Sequence, residues 1–116
     1  MRIYNATVNT LRGLTCAAKT EAAPRQEMVA LVLALPVGLL IAPSVGWYVA
    51  MVTSLLATLA IELLNTAIER LADRVTLERD IRIGQVKDYG SAAVFCGLCI
   101  AGLIWIAAAA IRLGPL

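Results

Sequence analysis

Two long stretches without a charged side chain constrain the fold more than any other feature of the chain. The first runs from Met28 to Ile61 and the second from Tyr89 to Ile111, which is 34 and 23 residues. A helix that crosses the hydrocarbon core of a bilayer needs roughly 20 apolar residues. Only 16% of all residues are charged, whereas soluble domains carry about 25%. The sequence therefore predicts a single-domain integral membrane protein.

The first uncharged stretch is too long for one membrane span, and it contains the turn-forming residues Pro43 and Gly46. These residues favour a short turn between two helices. Trp47 and Tyr48, which follow the turn, are typical of a membrane–water interface. Pro36 is expected to kink the first span. The predicted spans are residues 26–43, 47–66 and 89–111.

The basic residues indicate how these spans are oriented. Nine of the ten Lys and Arg residues precede the first span or lie in the segment 67–88. Cytoplasmic loops carry the excess of basic residues, so we expect the N-terminus and segment 67–88 in the cytoplasm. The C-terminus is then on the opposite side of the membrane. The small positive excess is mixed with acids, and no nucleic-acid partner is expected.

Residues 2–23 form an amphipathic segment with apolar side chains spaced three and four apart. This spacing predicts a helix that lies on the cytoplasmic surface of the bilayer. Pro24 comes directly after it and fits the first turn of a new helix. The N-terminal region is therefore predicted as a surface helix followed by the first span.

The third span carries Cys96 and Cys99 at C-x-x-C spacing, but the chain has no second pair and no His. We interpret both cysteines as packing residues rather than as a redox or metal site. Ala93, Gly97 and Ala101 recur at four-residue spacing on the same span. Such a row of small residues favours close packing of helices.

A row of acidic and amide side chains marks the cytoplasmic end of the second span. Glu62, Asn65, Glu69 and Asp73 lie at offsets of 0, 3, 7 and 11 residues, and at about 100° per residue they share one helix face. Glu62 falls near the edge of the hydrocarbon, where a carboxylate is costly unless it faces protein or water. Glu69 and Asp73 project further, to the depth of a water-soluble cosubstrate. For Asp73, a solvated helix end is an equally good interpretation.

Three further polar stretches, at 21–27, 78–80 and 87–91, are predicted on the same side of the membrane. Carboxylates with a lysine and without histidine favour Mg²⁺ over Zn²⁺. Mg²⁺ beside phosphate oxygens, together with a lysine, is typical of phosphoryl transfer. The sequence contains neither a P-loop motif nor a protein-kinase glycine loop. A nucleotide site would therefore be of a different type.

Three blocks of the sequence, in this order and at this spacing, resemble the prokaryotic diacylglycerol kinase family. They are Glu21-Ala-Ala-Pro-Arg-Gln-Glu27, Glu62-Leu-Leu-Asn-Thr-Ala-Ile-Glu69 with Asp73-Arg74, and Lys87-Asp-Tyr-Gly-Ser-Ala-Ala93. The resemblance covers nearly the whole chain. It implies a homotrimer of protomers with one surface helix and three spans, whose active sites lie at the cytoplasmic interface between neighbouring protomers. It also implies that MgATP phosphorylates diacylglycerol to phosphatidic acid, in a bacterial inner membrane with the C-terminus in the periplasm.

The resemblance further implies roles for individual residues. Glu62 resembles the general base on the lipid hydroxyl, and Asn65 a residue that orients the base or the lipid. Glu21 and Glu69 resemble the Mg²⁺ ligands. The nucleotide contacts that it implies, beyond those two ligands, are Lys87, Asp88, Glu78, Arg79, Asp80, Arg2 and Asn9. The residues that it implies at or around the lipid site are Arg25, Gln26, Glu27 and Ser91.

The chain departs from the family pattern in the surface helix and just after it. Pro24 stands where a bulky aromatic residue is expected, and Asn9 also stands in place of an aromatic. The surface helix contains no Trp. These departures leave the lipid selectivity open.

Three other functions compete with a diacylglycerol kinase. A polyprenol kinase of the same fold, acting on undecaprenol, would share the same motifs. A small multidrug transporter has a similar length, but it would have four spans and a Glu deep in the first, and here no acid follows Glu27 in that span. A non-catalytic membrane subunit would leave Glu62, Asn65 and Glu69 without a role.

Overall fold

In a computed structural model, residues 1–114 form four α-helices and no strand. The helices are α1 (Arg2–Thr20), α2 (Ala22–Ile41), α3 (Val45–Val75) and α4 (Ile81–Leu113). Helices α2, α3 and α4 are each long and apolar enough to cross a membrane. The predicted all-α membrane architecture, with an N-terminal helix before three helices able to span a membrane, is thus confirmed. The final two residues, at the predicted periplasmic terminus, lie outside the described range.

Helices α3 and α4 extend beyond the predicted spans at the ends joined by the α3–α4 connection. Helix α3 continues from residue 66 to Val75, and α4 begins at Ile81 rather than at residue 89. Of the predicted connecting segment 67–88, only residues 76–80 are outside a helix. Charged residues end the hydrophobic run, but Glu, Arg, Leu and Ala are good helix formers and keep the backbone helical.

Each junction between the helices is short and has a local cause. Glu21 is the one extended residue between α1 and α2, and Pro24 lies in the first turn of α2, where its missing N–H breaks no helical bond. Ser44 caps α3 by accepting a hydrogen bond from the Trp47 N–H at 3.3 Å. Asp80 caps α4 by accepting hydrogen bonds from the backbone N–H groups of Arg82 and Ile83.

Helices α3 and α4 pack closely because glycines of α4 face polar side chains of α3. A Cβ atom at Gly97 would lie 3.5 Å from Thr58 Oγ1 and 3.2 Å from the Ile61 side chain. The Thr58 hydroxyl donates to the Gly97 carbonyl at 3.1 Å. Gly97 and Ala101 of the predicted small-residue row are buried, whereas Ala93 is exposed in the single chain.

Two further hydrogen bonds join the spanning helices at the end opposite the acidic residues. The Tyr48 hydroxyl donates to the Leu35 carbonyl of α2 at 2.8 Å, and the Trp105 indole N–H donates to the Met51 carbonyl at 3.0 Å. Gly38 leaves the space that the Tyr48 ring occupies, since a Cβ there would lie 3.0 Å from the ring. The three spans therefore form one packed unit.

Replacing Gly97 with Leu should destabilise the α3–α4 pair, because the new side chain meets Ile61 and the Thr58 backbone. Overpacking of this kind costs about 1–3 kcal/mol. The matched control is Gly102→Leu on the same helix, where a Cβ meets nothing within 4 Å. The midpoint of thermal unfolding in detergent micelles should fall for Gly97→Leu and stay near the wild-type value for Gly102→Leu. Equal midpoints for the two variants would contradict the close packing at Gly97.

Candidate active site

The polar face predicted on the second span lies against α4 at the end of the molecule where α2 and α4 begin. Glu62 and Asn65 are each only 7% exposed, while Glu69 and Asp73 on the same face are exposed. The row therefore passes from a buried carboxylate to solvated ones within three turns. A rise of ~1.5 Å per residue places Glu69 about 10 Å beyond Glu62 along the axis.

Asn65 connects the buried and exposed parts of this row. Its side-chain amide donates from Nδ2 to Glu69 Oε1 at 3.1 Å. Its Oδ1 is buried, has no hydrogen-bond partner, and faces Gly90 of α4 so closely that a Cβ there would overlap it. Asn65 thus holds one oxygen of Glu69 and presents a free acceptor at the helix interface.

Glu62 lies within electrostatic range of three other carboxylates. One is on α3 itself, one is at the α1–α2 junction and one is on α2. The charges of Glu21, at the α1–α2 junction, and Glu69 both act on it, and its own charge acts on Glu27 of α2. Both carboxylate oxygens of Glu27 are buried without a partner. We call Glu21, Glu27, Glu62 and Glu69 the carboxylate cluster. Their mutual repulsion favours binding of a cation there.

Arg70 provides the positive charge that meets this cluster. Its guanidinium donates from Nη2 to Glu21 Oε1 at 2.9 Å and to Thr20 Oγ1 at 2.7 Å, and from Nη1 to Cys16 Sγ at 3.8 Å. These contacts join α3 to the end of α1. The ion pair is partly solvated, with 51% of the Arg70 side chain and 35% of the Glu21 side chain exposed.

The second ion pair of the described residues joins α3 to α4. Lys87 Nζ donates to Asp73 Oδ1 at 2.7 Å. The pairing gives Asp73 a partner and draws Lys87 to the solvated end of the acidic row. Asp88, next to it, is exposed. Within one chain, the predicted nucleotide-binding lysine therefore lies beyond Glu69 rather than against Glu62.

The remaining predicted site residues are spread over the surface of the molecule. Arg25 donates from Nη1 to the Ala18 carbonyl at 3.2 Å. Asn9 lines a groove of about 430 Å³ between α1 and α3, which also contains Arg70. Most of the others are exposed and lie at the start of α1, in the first turns of α2, in the α3–α4 connection and one residue after Gly90; they are Arg2, Gln26, Glu78, Arg79, Asp80 and Ser91.

The predictions from sequence omitted two residues that shape the site, Arg70 and Gly90. Arg70 follows Glu69 directly and points to α1, a contact that no spacing within α3 reveals. Gly90 lies within the block Lys87–Ala93 that carries the family resemblance. Its position in a helix, where Gly costs about 1 kcal/mol relative to Ala, is the signal that could have identified it.

The donor atoms of the carboxylate cluster fit a hard divalent cation. Within residues 1–114 no three acidic or cysteine side chains converge closely enough to hold a metal ion alone. Mg²⁺ does not require this, since it binds through one or two carboxylates, substrate phosphates and water. Glu21 and Glu69 each have one oxygen bonded to a neighbour, and the buried oxygens of Glu27 have none. These residues therefore supply oxygen ligands and negative charge that a cation would balance.

A sequence model of the family described as prokaryotic diacylglycerol kinase matches residues 8–109. The chain belongs to this family. The match covers every predicted site residue except Arg2, which lies before it. The chain is thus an enzyme of a family of membrane lipid kinases, and ATP is the cosubstrate that such a family implies.

Curated relatives are similar over nearly the same region. The diacylglycerol kinase of Pseudomonas aeruginosa is 42% identical over 90% of this chain and 85% of its own length. That of Haemophilus influenzae is 38% identical over 89% of this chain and 87% of its own. That of Escherichia coli K12 is 36% identical over 90% of this chain and 85% of its own length. Similarity at this level over three helical spans covers the carboxylate cluster and its supports.

Gly90→Ala should lower the phosphoryl-transfer rate, because the added methyl group displaces the Asn65 amide and with it the bonded oxygen of Glu69. A displacement of about 1 Å at a reacting centre can cost ~100-fold in rate, and we expect a loss of about 10- to 100-fold. The matched control is Gly84→Ala, where a Cβ meets nothing within 4 Å. The measurement is kcat with lipid and MgATP in mixed micelles. Equal rates in both variants would contradict a role for the Asn65–Gly90 contact.

Proposed function

We propose that the protein transfers the γ-phosphate of ATP to diacylglycerol, forming phosphatidic acid, at the cytoplasmic face of a bacterial inner membrane. One observation supports this most strongly. A carboxylate is buried at the end of a membrane-spanning helix, and two more lie within its electrostatic range, one of them two turns further along the same helix. A lipid hydroxyl and a water-soluble triphosphate can meet at such a place.

The lipid supplies a single primary alcohol at the depth of the headgroups. The oxygen of this alcohol bonds to the γ-phosphorus while Glu62 accepts the proton of the alcohol. ADP leaves with the electrons of the broken P–O bond. General-base assistance of this kind is worth about 10²–10⁴-fold. The Asn65 amide, on the same helix face as Glu62, and the Glu27 carboxylate orient the base, the alcohol or its headgroup in this proposal.

Glu21 and Glu69 would hold Mg²⁺ through the oxygens that their neighbours leave free. A Mg²⁺ ion held there with ATP would supply positive charge to offset that on the transferring phosphoryl group. The two carboxylates fix the position of the triphosphate relative to Glu62. Asn65 and Arg70 restrict the side-chain rotamers of these ligands through the hydrogen bonds described above.

The nucleotide contacts in this proposal come from the start of α4, the α3–α4 connection and the surface helix. Lys87 neutralises phosphate charge once it leaves Asp73, and Asp88 lies beside it. The other residues assigned to the nucleotide are Glu78, Arg79, Asp80, Arg2 and Asn9. Because these residues are spread over the surface of one chain, we assign the complete site to the interface between protomers of a homotrimer.

The direct test of the proposed function compares two lipid alcohols. Purified protein in mixed micelles is given radiolabelled ATP, Mg²⁺ and either dioleoylglycerol or undecaprenol. We expect label in phosphatidic acid, at a kcat/KM well above that for undecaprenol. A preference for undecaprenol would replace the proposed substrate with a polyprenol, and label in neither lipid would contradict a lipid kinase.

Glu62→Gln should abolish lipid phosphorylation while nucleotide binding largely survives, because the amide keeps the size of the side chain but cannot accept the proton. We expect a loss of at least about 100-fold in kcat. Binding of a fluorescent ATP analogue in the presence of Mg²⁺ provides the control for folding. Normal turnover in this variant would exclude Glu62 as the base.

A further inference from the structure

We infer that Arg70 is a positioning residue for Glu21. It holds one oxygen of this carboxylate at the α1–α2 junction so that the other oxygen stays available to a divalent cation. The inference rests on the proposed function, in which Glu21 is a ligand of that cation. It concerns a residue that makes no contact with the reacting atoms in this proposal.

The contacts of Arg70 identify what it fixes. Thr20 and Glu21, the two residues that end α1 and join it to α2, are both bonded to Nη2, at 2.7 and 2.9 Å. Glu21 is the one residue of extended backbone between two helices. Its side chain therefore lacks the restraint that packing within a helix provides. The guanidinium replaces that restraint with hydrogen bonds from a separate helix.

The hydrogen bonding of Glu21 indicates that Arg70 orients this carboxylate for a cation and does not compete with the cation for it. Arg70 binds Oε1 only, and it does not take both oxygens in the bidentate manner that guanidinium groups often use. Glu69, the other carboxylate assigned to the cation, is bonded in the same way, with Oε1 held by Asn65. Outer groups that hydrogen-bond a ligand carboxylate orient it and raise metal affinity. Arg70 and Asn65 thus act alike on the two ligands.

A direct measurement is the affinity for Mn²⁺, used as a paramagnetic substitute for Mg²⁺, in the presence of a non-hydrolysable ATP analogue. The free Mn²⁺ signal in electron paramagnetic resonance gives this affinity without lipid and without turnover. Arg70→Gln should weaken Mn²⁺ binding about two- to tenfold. The lower value is typical of losing a half-exposed ion pair, and the upper value of losing a group that hydrogen-bonds a metal ligand. Arg70→Lys, which can keep one hydrogen bond to Glu21, should lose less.

Two further variants separate positioning from other roles. Arg12→Gln removes an exposed arginine from α1 and should leave Mn²⁺ affinity unchanged, which controls for the loss of one surface charge. In the double variant Glu21→Gln with Arg70→Gln, affinity should equal that of Glu21→Gln alone, because Arg70 acts through Glu21.

The outcomes are distinct from one another. Unchanged Mn²⁺ affinity in Arg70→Gln, with only a lower thermal midpoint, would reduce Arg70 to a structural link between α1 and α3. Tighter binding would make it a competitor of the cation, and additive losses in the double variant would place it on the nucleotide; each of these overturns the inference. A wild-type protein that binds Mn²⁺ with the analogue yet labels no lipid contradicts the proposed function alone.

Discussion

The close approach of α4 to the polar face of α3 is the constraint on which the rest of the structure depends. Asn65 and Thr58 are buried in a chain whose surface is mostly apolar, and they are accommodated because Gly90 and Gly97 present no side chain to them. Burying a polar group in hydrocarbon without a partner costs several kcal/mol. The glycines remove the bulk that would otherwise force these side chains outward into lipid. Glu62, on the same face of α3, is buried as well.

Electrostatics then determine what this interface can hold. The charge of Glu62 interacts with those of Glu21, Glu27 and Glu69 at one end of the bundle, and Arg70 is bonded to Glu21. Buried carboxylates are tolerated when a counter-charge or a hydrogen-bond donor compensates them. The protein compensates Glu21 and Glu69 with neighbours on α3, while both oxygens of Glu27 lack a partner. A site with this residual negative charge is suited to a divalent cation, such as the one that accompanies a nucleotide triphosphate.

The sequence allowed the fold to be predicted because its strongest signals are physical requirements of the bilayer. Uncharged stretches, the Pro43–Gly46 turn and the position of Pro24 identify the helices and their order. The ends of α3 and α4 could not be predicted in the same way, because a helix can continue beyond the point where the hydrocarbon of the bilayer ends. Of the site, the acidic row on α3 could be predicted from helical spacing. The Arg70–Glu21 pair could not, because it joins residues 49 apart in the chain and depends on how α1 meets α3.

Helix α3 runs without a break from Val45 to Val75, so the depth of Glu62 is measured from the turn on the opposite face of the membrane. Glu62 lies 18 positions after Ser44, which is about 27 Å along the helix at ~1.5 Å per residue. Bilayers differ by a few ångströms in hydrophobic thickness. If the Ser44 end of α3 stays at one membrane surface, Glu62 lies within the hydrocarbon of a thick bilayer and among the headgroups of a thin one. The acyl-chain length of the host membrane therefore sets how far Glu62 lies from the headgroups, independently of which lipid is the substrate.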